Sequence, residues 1–87
     1  MTTRHVTISA HNGVHARPVA ELVRIAQGHP HAVTLRTAAG TTVDLSSVLA
    51  VMDLALSAGD AVVLETADAA GAEAVLDTLA EVLAPRG

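Results

Sequence analysis

Apolar and polar residues alternate along "RHVTISA", residues 4–10, with Val6, Ile8 and Ala10 on one side and His5, Thr7 and Ser9 on the other. A period of two predicts a half-buried strand. In "ARPVAELVRIAQG", residues 16–28, the period lengthens. Val19, Leu22, Val23 and Ala26 form one apolar stripe, which predicts a helix. Pro18 stands in its first turn, where a proline is tolerated, and Gly28 supplies the stop. "AVTLRT", residues 32–37, predicts a second strand with Val33 and Leu35 inward. "AAG" is a turn and "TTVDL", residues 41–45, a short third strand, so the two pair as a hairpin. "SSVLAVMDLAL", residues 46–56, predicts a brief helix opened by a serine cap, and "AGD" breaks it. "AVVLET", residues 61–66, is a fourth strand with Val62 and Leu64 inward. "DAAGAEAVLDTLAEVLAPRG", residues 68–87, predicts a last helix with Val75, Leu76, Leu79, Val82 and Leu83 on one face. Asp68 and Glu73 fall near its start, as the helix dipole favours, and Pro85 ends it.

The element order is strand, helix, strand, strand, helix, strand, helix. Each strand has one apolar face and each long helix one stripe. The simplest arrangement is a four-stranded sheet with helices packed on one face, an α+β two-layer sandwich. Residues 1–87 form a single domain with no repeat or linker.

Composition narrows the chemistry. With no Phe, Tyr or Trp, the core is Val, Leu, Ile and Ala, and stacking of bases or sugars on aromatic rings is excluded. There is no cysteine, hence no disulfide and no thiolate chemistry. The longest apolar run, "VLAVM", is far below the ~20 residues of a membrane span, and "MTTRHVTIS" lacks the apolar stretch of a signal peptide. We expect a cytoplasmic, monomeric protein with no membrane insertion and no cofactor. The net charge is −4, and all five basic residues are arginines, too few and too scattered for a nucleic-acid surface. Arg17 and Arg24 are seven apart, so on a helix they share a face.

"NGVHARP", residues 12–18, carries the most pointed chemistry. His15 lies just before the first helical turn, beside free backbone N–H groups that make an anion site. The same positive field disfavours imidazolium and keeps a nucleophilic lone pair available near neutral pH. Arg17 adds a planar fork of donors suited to phosphate. Together these suit transfer of a phosphoryl group onto the imidazole. A solvated loop histidine or a weak cap is the plainer alternative from spacing alone.

This heptapeptide resembles the active-site segment of the HPr family, the histidine-containing phosphocarriers of the bacterial sugar phosphotransferase system. The resemblance spans essentially the whole chain. "TTVDLSSVLAVMDLAL" is similar to the family's second-helix region, and "SAGDAVVL" to the turn and strand that follow. It implies an open-faced β-sandwich with an antiparallel sheet and three helices on one face. It further implies that His15 takes phosphate from phosphorylated enzyme I at Nδ1 and passes it to enzyme IIA components. By the same resemblance Arg17 is the phosphate-side partner, Asn12 and Ala16 belong to the anion-binding segment, and Ser47 falls where many members are phosphorylated by a serine kinase. Three features depart from the family: Ser46 stands where many relatives have lysine, Asp53 lies in a segment usually small or neutral, and there is no lysine at all.

The second helix is apolar nearly all round. Val51 and Leu54 can point inward, while Val48, Leu49 and Met52 share another face. With the resemblance, that face reads as a docking patch joined by Arg24, and Met52 suits several partners. "HPH", with His29 and His31, offers two metal ligands and no evident third, so no metal site is expected. His5 and His11 are assigned no role. A second reading is a regulatory or binding module of a nitrogen-linked or dihydroxyacetone kinase branch, acting mainly through docking. An intact His15 and Arg17 favour the carrier.

Overall fold

The computed structural model describes residues 1–9 and 16–85, with the backbone alone at 16 and 17. Seven elements follow in the order read from the pattern: β1 (Thr2–Thr7), α1 (Ala16–Gln27), β2 (Val33–Thr37), β3 (Thr42–Asp44), α2 (Val48–Asp53), β4 (Ala61–Thr66) and α3 (Ala72–Leu83). The strands form one sheet in the order β1-β4-β2-β3, with every neighbouring pair antiparallel.

Register follows from the alternation. Val6 stands opposite Val62, Arg4 opposite Leu64, and Leu64 opposite Leu35. These rungs face the helices, and the three valines and leucines of the central strands are almost wholly buried. On the other face His5, Val63, Arg36 and Thr42 form one rung, and Thr3, Glu65, Thr34 and Asp44 the next. One face is covered and the other left open, which is the open-faced sandwich.

The helices cover the apolar face through their predicted stripes. Val19, Leu22, Val23 and Ala26 of α1 are buried, as are Val75, Leu76, Leu79 and Leu83 of α3. Each fully buried leucine contributes about 1.5–3 kcal/mol relative to exposure. The core holds no aromatic ring and is packed from these branched side chains.

Several expectations need correction. The first strand starts at Thr2 and ends at Thr7, two and three residues before the predicted bounds. Ile8 remains core at 1% exposure because the chain stays pinned beyond the strand: its N–H donates to the Asp60 carbonyl at 2.8 Å, and its own carbonyl accepts from Gly59 at 2.7 Å. The last helix starts at Ala72, not Asp68. Gly71 holds φ +86°, a left-handed conformation that no α-helix interior admits, so the alanine-rich run before it is a turn. Asp68 therefore does not face a helix dipole. It accepts from the Met1 ammonium at 2.9 Å and from the Thr2 hydroxyl at 2.6 Å, stapling the start of β1 to the β4–α3 connection.

The second helix is also shorter than predicted, six residues instead of eleven. Ala55, at φ +50°, turns the chain out of it. Val82 and Leu54, expected inward, are only partly buried, whereas Leu45 and Leu56 are buried without having been singled out. Leu45 is drawn in because its N–H continues the ladder to the Val33 carbonyl at 2.9 Å. Ala10 lies outside the described residues.

Candidate functional site

Helix α1 begins at Ala16, directly after His15 in the chain. An α-helix leaves its first amides without an intrahelical partner, and Pro18 has none to offer, so residues 16, 17 and 19 supply them. Burial of Val19 at 1% and Leu22 at 0% fixes this helix start against the core. His15, Asn12 and His11 lie outside the described residues, as do the side chains of Ala16 and Arg17.

Helix α2 follows β3 through a built capping arrangement. Asp44 Oδ1 accepts from the Ser46 N–H at 2.8 Å, and Ser47 is the N-cap, its Oγ accepting from the Ala50 N–H at 3.2 Å. The Ser47 backbone is extended, as an N-cap requires. Gln27, the last residue of α1, donates from Nε2 to the Ser46 carbonyl at 3.2 Å. The start of α2 is thus tied to the end of α1 by a side chain that the sequence pattern did not single out.

The two faces of α2 separate as their spacing requires. Val51 is 2% exposed, while Val48 is 40%, Leu49 79% and Met52 47% exposed. Apart from Met1, these three are the large hydrophobic side chains left in solvent among the described residues. Val51 is the buried position of this six-residue helix, with Ala50 half-buried beside it and the larger apolar side chains outward. Asp53 is exposed too, one turn on from Leu49. An open cleft of about 710 Å³ adjoins the C-terminal end of α2, between Ala50, Asp53 and Leu54 on one side and Thr37, Thr41 and Val43 on the other.

Arg24 pairs with Glu21 one turn earlier on its own helix, Nε donating to Oε2 at 3.3 Å and the terminal nitrogen to Oε1. The hydrogen bond to Glu21, reinforced by its charge, raises the Arg24 pKa. The i, i+3 spacing of a carboxylate and a guanidinium was visible in the sequence as a pair signal.

Comparison with known proteins places this geometry in context. A family model for the phosphorylation site of the HPr component of the phosphotransferase system matches residues 2–84, which include all of "NGVHARP". A phosphocarrier protein HPr of Streptomyces coelicolor is 40% identical over 84 residues, covering 97% of this chain and 89% of its own length. The crystal structure of a phosphocarrier HPr of Bacillus anthracis superposes with a TM-score of 0.83 at 29% identity, over 94% of this chain and 95% of that one. The catabolite repression protein Crh of Bacillus subtilis, described as a dimer with a swapped domain, gives 0.69 at 29% identity, over 95% and 93%.

Proposed function

Because this chain belongs to the HPr family of phosphocarrier proteins, we propose that it carries a phosphoryl group on His15, taken from phosphorylated enzyme I and delivered to enzyme IIA components. The observation that carries the reading is the coincidence of "NGVHARP" with the start of a helix whose first residue is Ala16. A helix start offers free amides and a positive field to an anion at the residue just before it. A phosphoryl group on His15 would meet those amides and the Arg17 guanidinium. The P–N bond formed on the imidazole stays reactive, so the group can be handed on. The carrier is consumed by one protein and regenerated by another, and is no catalyst in its own right.

Val48, Leu49 and Met52 would be the surface that both donor and acceptor dock against. Their exposure supports this, and α2 is oriented to α1 through Gln27. Ser47, at the N-cap, is the position where a serine kinase would act. The likeness to Crh keeps a second role in view, a regulatory module that works through the same docking face.

Labelled phosphoenolpyruvate with and without enzyme I tests the carrier reading. The wild-type chain should take up label only with enzyme I, on an acid-labile, base-stable bond, and His15→Ala should take up none. Label retained by His15→Ala would overturn the assignment. Arg17→Ala should slow uptake, since it removes charge stabilisation of the transferred group.

A further inference from the structure

The open cleft of about 710 Å³ beside the C-terminal end of α2 has apolar walls, among them Val43, Leu54, Leu56 and Val62. Two carboxylates, Asp53 and Asp60, also line it, and among the described residues no basic side chain does. The arginines whose side chains are described meet other carboxylates: Arg4 meets Asp77 and Glu73, Arg24 meets Glu21, and Arg36 meets Glu65. Asp60 has a task within the fold, its Oδ2 accepting from the Ser57 N–H at 2.9 Å. The Asp53 carboxylate has none: among the described residues it takes part in no hydrogen bond or ion pair.

Asp53 is also poorly placed for folding. It is the last residue of α2, where the unpaired carbonyls of the helix end disfavour negative charge. A residue that breaks a local preference with no compensating contact points to function. Its surroundings say which. Asp53 is exposed one turn on from Leu49 and next to Met52, so one short helix presents an apolar patch and, at its end, a negative charge beside an apolar cleft. A cation on an apolar stem fits both features, the stem lying along the walls and the head meeting the carboxylates. This chain has no lysine, and its described arginines are paired, so the cation comes from another protein.

We propose that the protein docking on the α2 patch, which is enzyme I in the carrier reading on which this rests, places a lysine or arginine in the cleft, and that Asp53 selects for it. The apolar patch supplies the contact area, and the charge pair fixes register and discriminates among partners. Ser47 and Asp53 stand at opposite ends of α2, about 9 Å apart along its axis, so the two ends meet different parts of a partner.

The test compares wild type, Asp53→Asn and Asp53→Lys by calorimetric titration with enzyme I. At about 0.05 M salt Asp53→Asn should bind about two- to fivefold more weakly, the range that one exposed charge pair commands, and Asp53→Lys more weakly still. The differences should shrink at about 1 M salt, where charges are screened within ~3 Å. The melting temperature of Asp53→Asn should equal or exceed that of wild type, since a charge opposed to the helix dipole is removed. Asp53→Asn binding as tightly as wild type at low salt would overturn the proposal. So would weaker binding accompanied by a lower melting temperature, for Asp53 would then serve the fold. A wild-type advantage that disappears in EDTA would overturn it too, by assigning the cleft to a divalent cation. A second measurement needs no enzyme I: the peptide acetyl-Leu-Arg-Leu-amide should shift the amide resonances of Ala50, Asp53, Leu54 and Ala61 more in wild type than in Asp53→Asn, and acetyl-Leu-Glu-Leu-amide should leave them in place. Equal shifts with the two peptides, or none, would also overturn it. If the carrier reading fails instead, wild type itself takes up no label, while the peptide comparison still decides what the cleft accepts.

Discussion

Gln27 donates a hydrogen bond to the Ser46 carbonyl across 3.2 Å, and so joins the last turn of the helix that starts at the proposed phosphoryl site to the cap of the helix that bears the apolar patch. The two are nineteen positions apart in the chain, with the whole β2–β3 hairpin between them. The link is exposed, so its worth to stability is small, about 0.5–1 kcal/mol. Its consequence is geometric. Gln27→Ala should lower the melting temperature only slightly while raising the KM for phosphorylated enzyme I, because α2 loses one of its anchors. The maximal rate at saturating partner should be kept. An unchanged KM would show that the burial of Val51 alone orients α2.

Much of this architecture was legible because burial and periodicity coincide. Val19, Leu22, Val23 and Ala26 are spaced for one helix face and occupy it. Val62 and Leu64 alternate and face inward together. What escaped was set by single backbone conformations and by long-range polar contacts. An alanine-rich run reads as helix until Gly71 is seen at positive φ, and no local pattern announces that. Ala55 likewise turns left-handed at the end of α2, in a residue type that rarely does so. Asp68 looked like a dipole partner because its true partners, Met1 and Thr2, are 66 or more residues away in the chain. For the site, the order of residues in "NGVHARP" was readable as chemistry and by resemblance, whereas the Gln27 tether depends on tertiary placement. The Glu21–Arg24 pair was readable by spacing alone.

Leu49 and Val51 are two apart and opposite in fate, at 79% and 2% exposure. Leu49→Glu should weaken binding to enzyme I and to an acceptor alike while leaving the melting temperature nearly unchanged, since an exposed substitution of this kind usually lies within about 0.5 kcal/mol. Val51→Ala should cost about 1–3 kcal/mol through lost burial and the cavity left behind. Titration of each variant with enzyme I, beside thermal denaturation, checks both. A large fall in stability for Leu49→Glu would mean that Leu49 supports the core.

The staple at Asp68 predicts a pH dependence. Hydrogen bonding from the Thr2 hydroxyl, then hydrogen bonding and attraction from the Met1 ammonium, hold the Asp68 carboxyl below its usual range. A depressed folded pKa means that the charged form is the one folding favours. Its contribution is therefore present above the unfolded value of about 3.9 and is lost as pH falls through the lower folded value. Wild type should exceed Asp68→Asn in urea midpoint at neutral pH, and the gap should close only in strong acid. A gap independent of pH would assign the effect to the shape of the side chain and not to its charge. Because both partners are exposed, the gap should also narrow with salt.

Ser47 is where capping and regulation make opposite forecasts. Its Oγ accepts from the Ala50 N–H at 3.2 Å with the extended backbone of an N-cap. Ser47→Ala should therefore cost about 1 kcal/mol of stability. Ser47→Asp keeps an acceptor at the cap and adds a negative charge at a helix N-terminus, so stability should hold or rise. Its effect on carriage is the reverse. The charge would stand next to Val48, whose side chain is exposed with Leu49 and Met52, and would have to be desolvated when a partner covers that patch. It would also repel an incoming phosphoryl donor. Uptake of label from phosphorylated enzyme I should thus be slow for Ser47→Asp and near normal for Ser47→Ala, measured below the melting temperature of both. Phosphate at Ser47 carries more charge than Asp and should slow uptake further. If Ser47→Asp and wild type take up label at the same rate, Ser47 is a cap alone and its hydroxyl has no part in regulation.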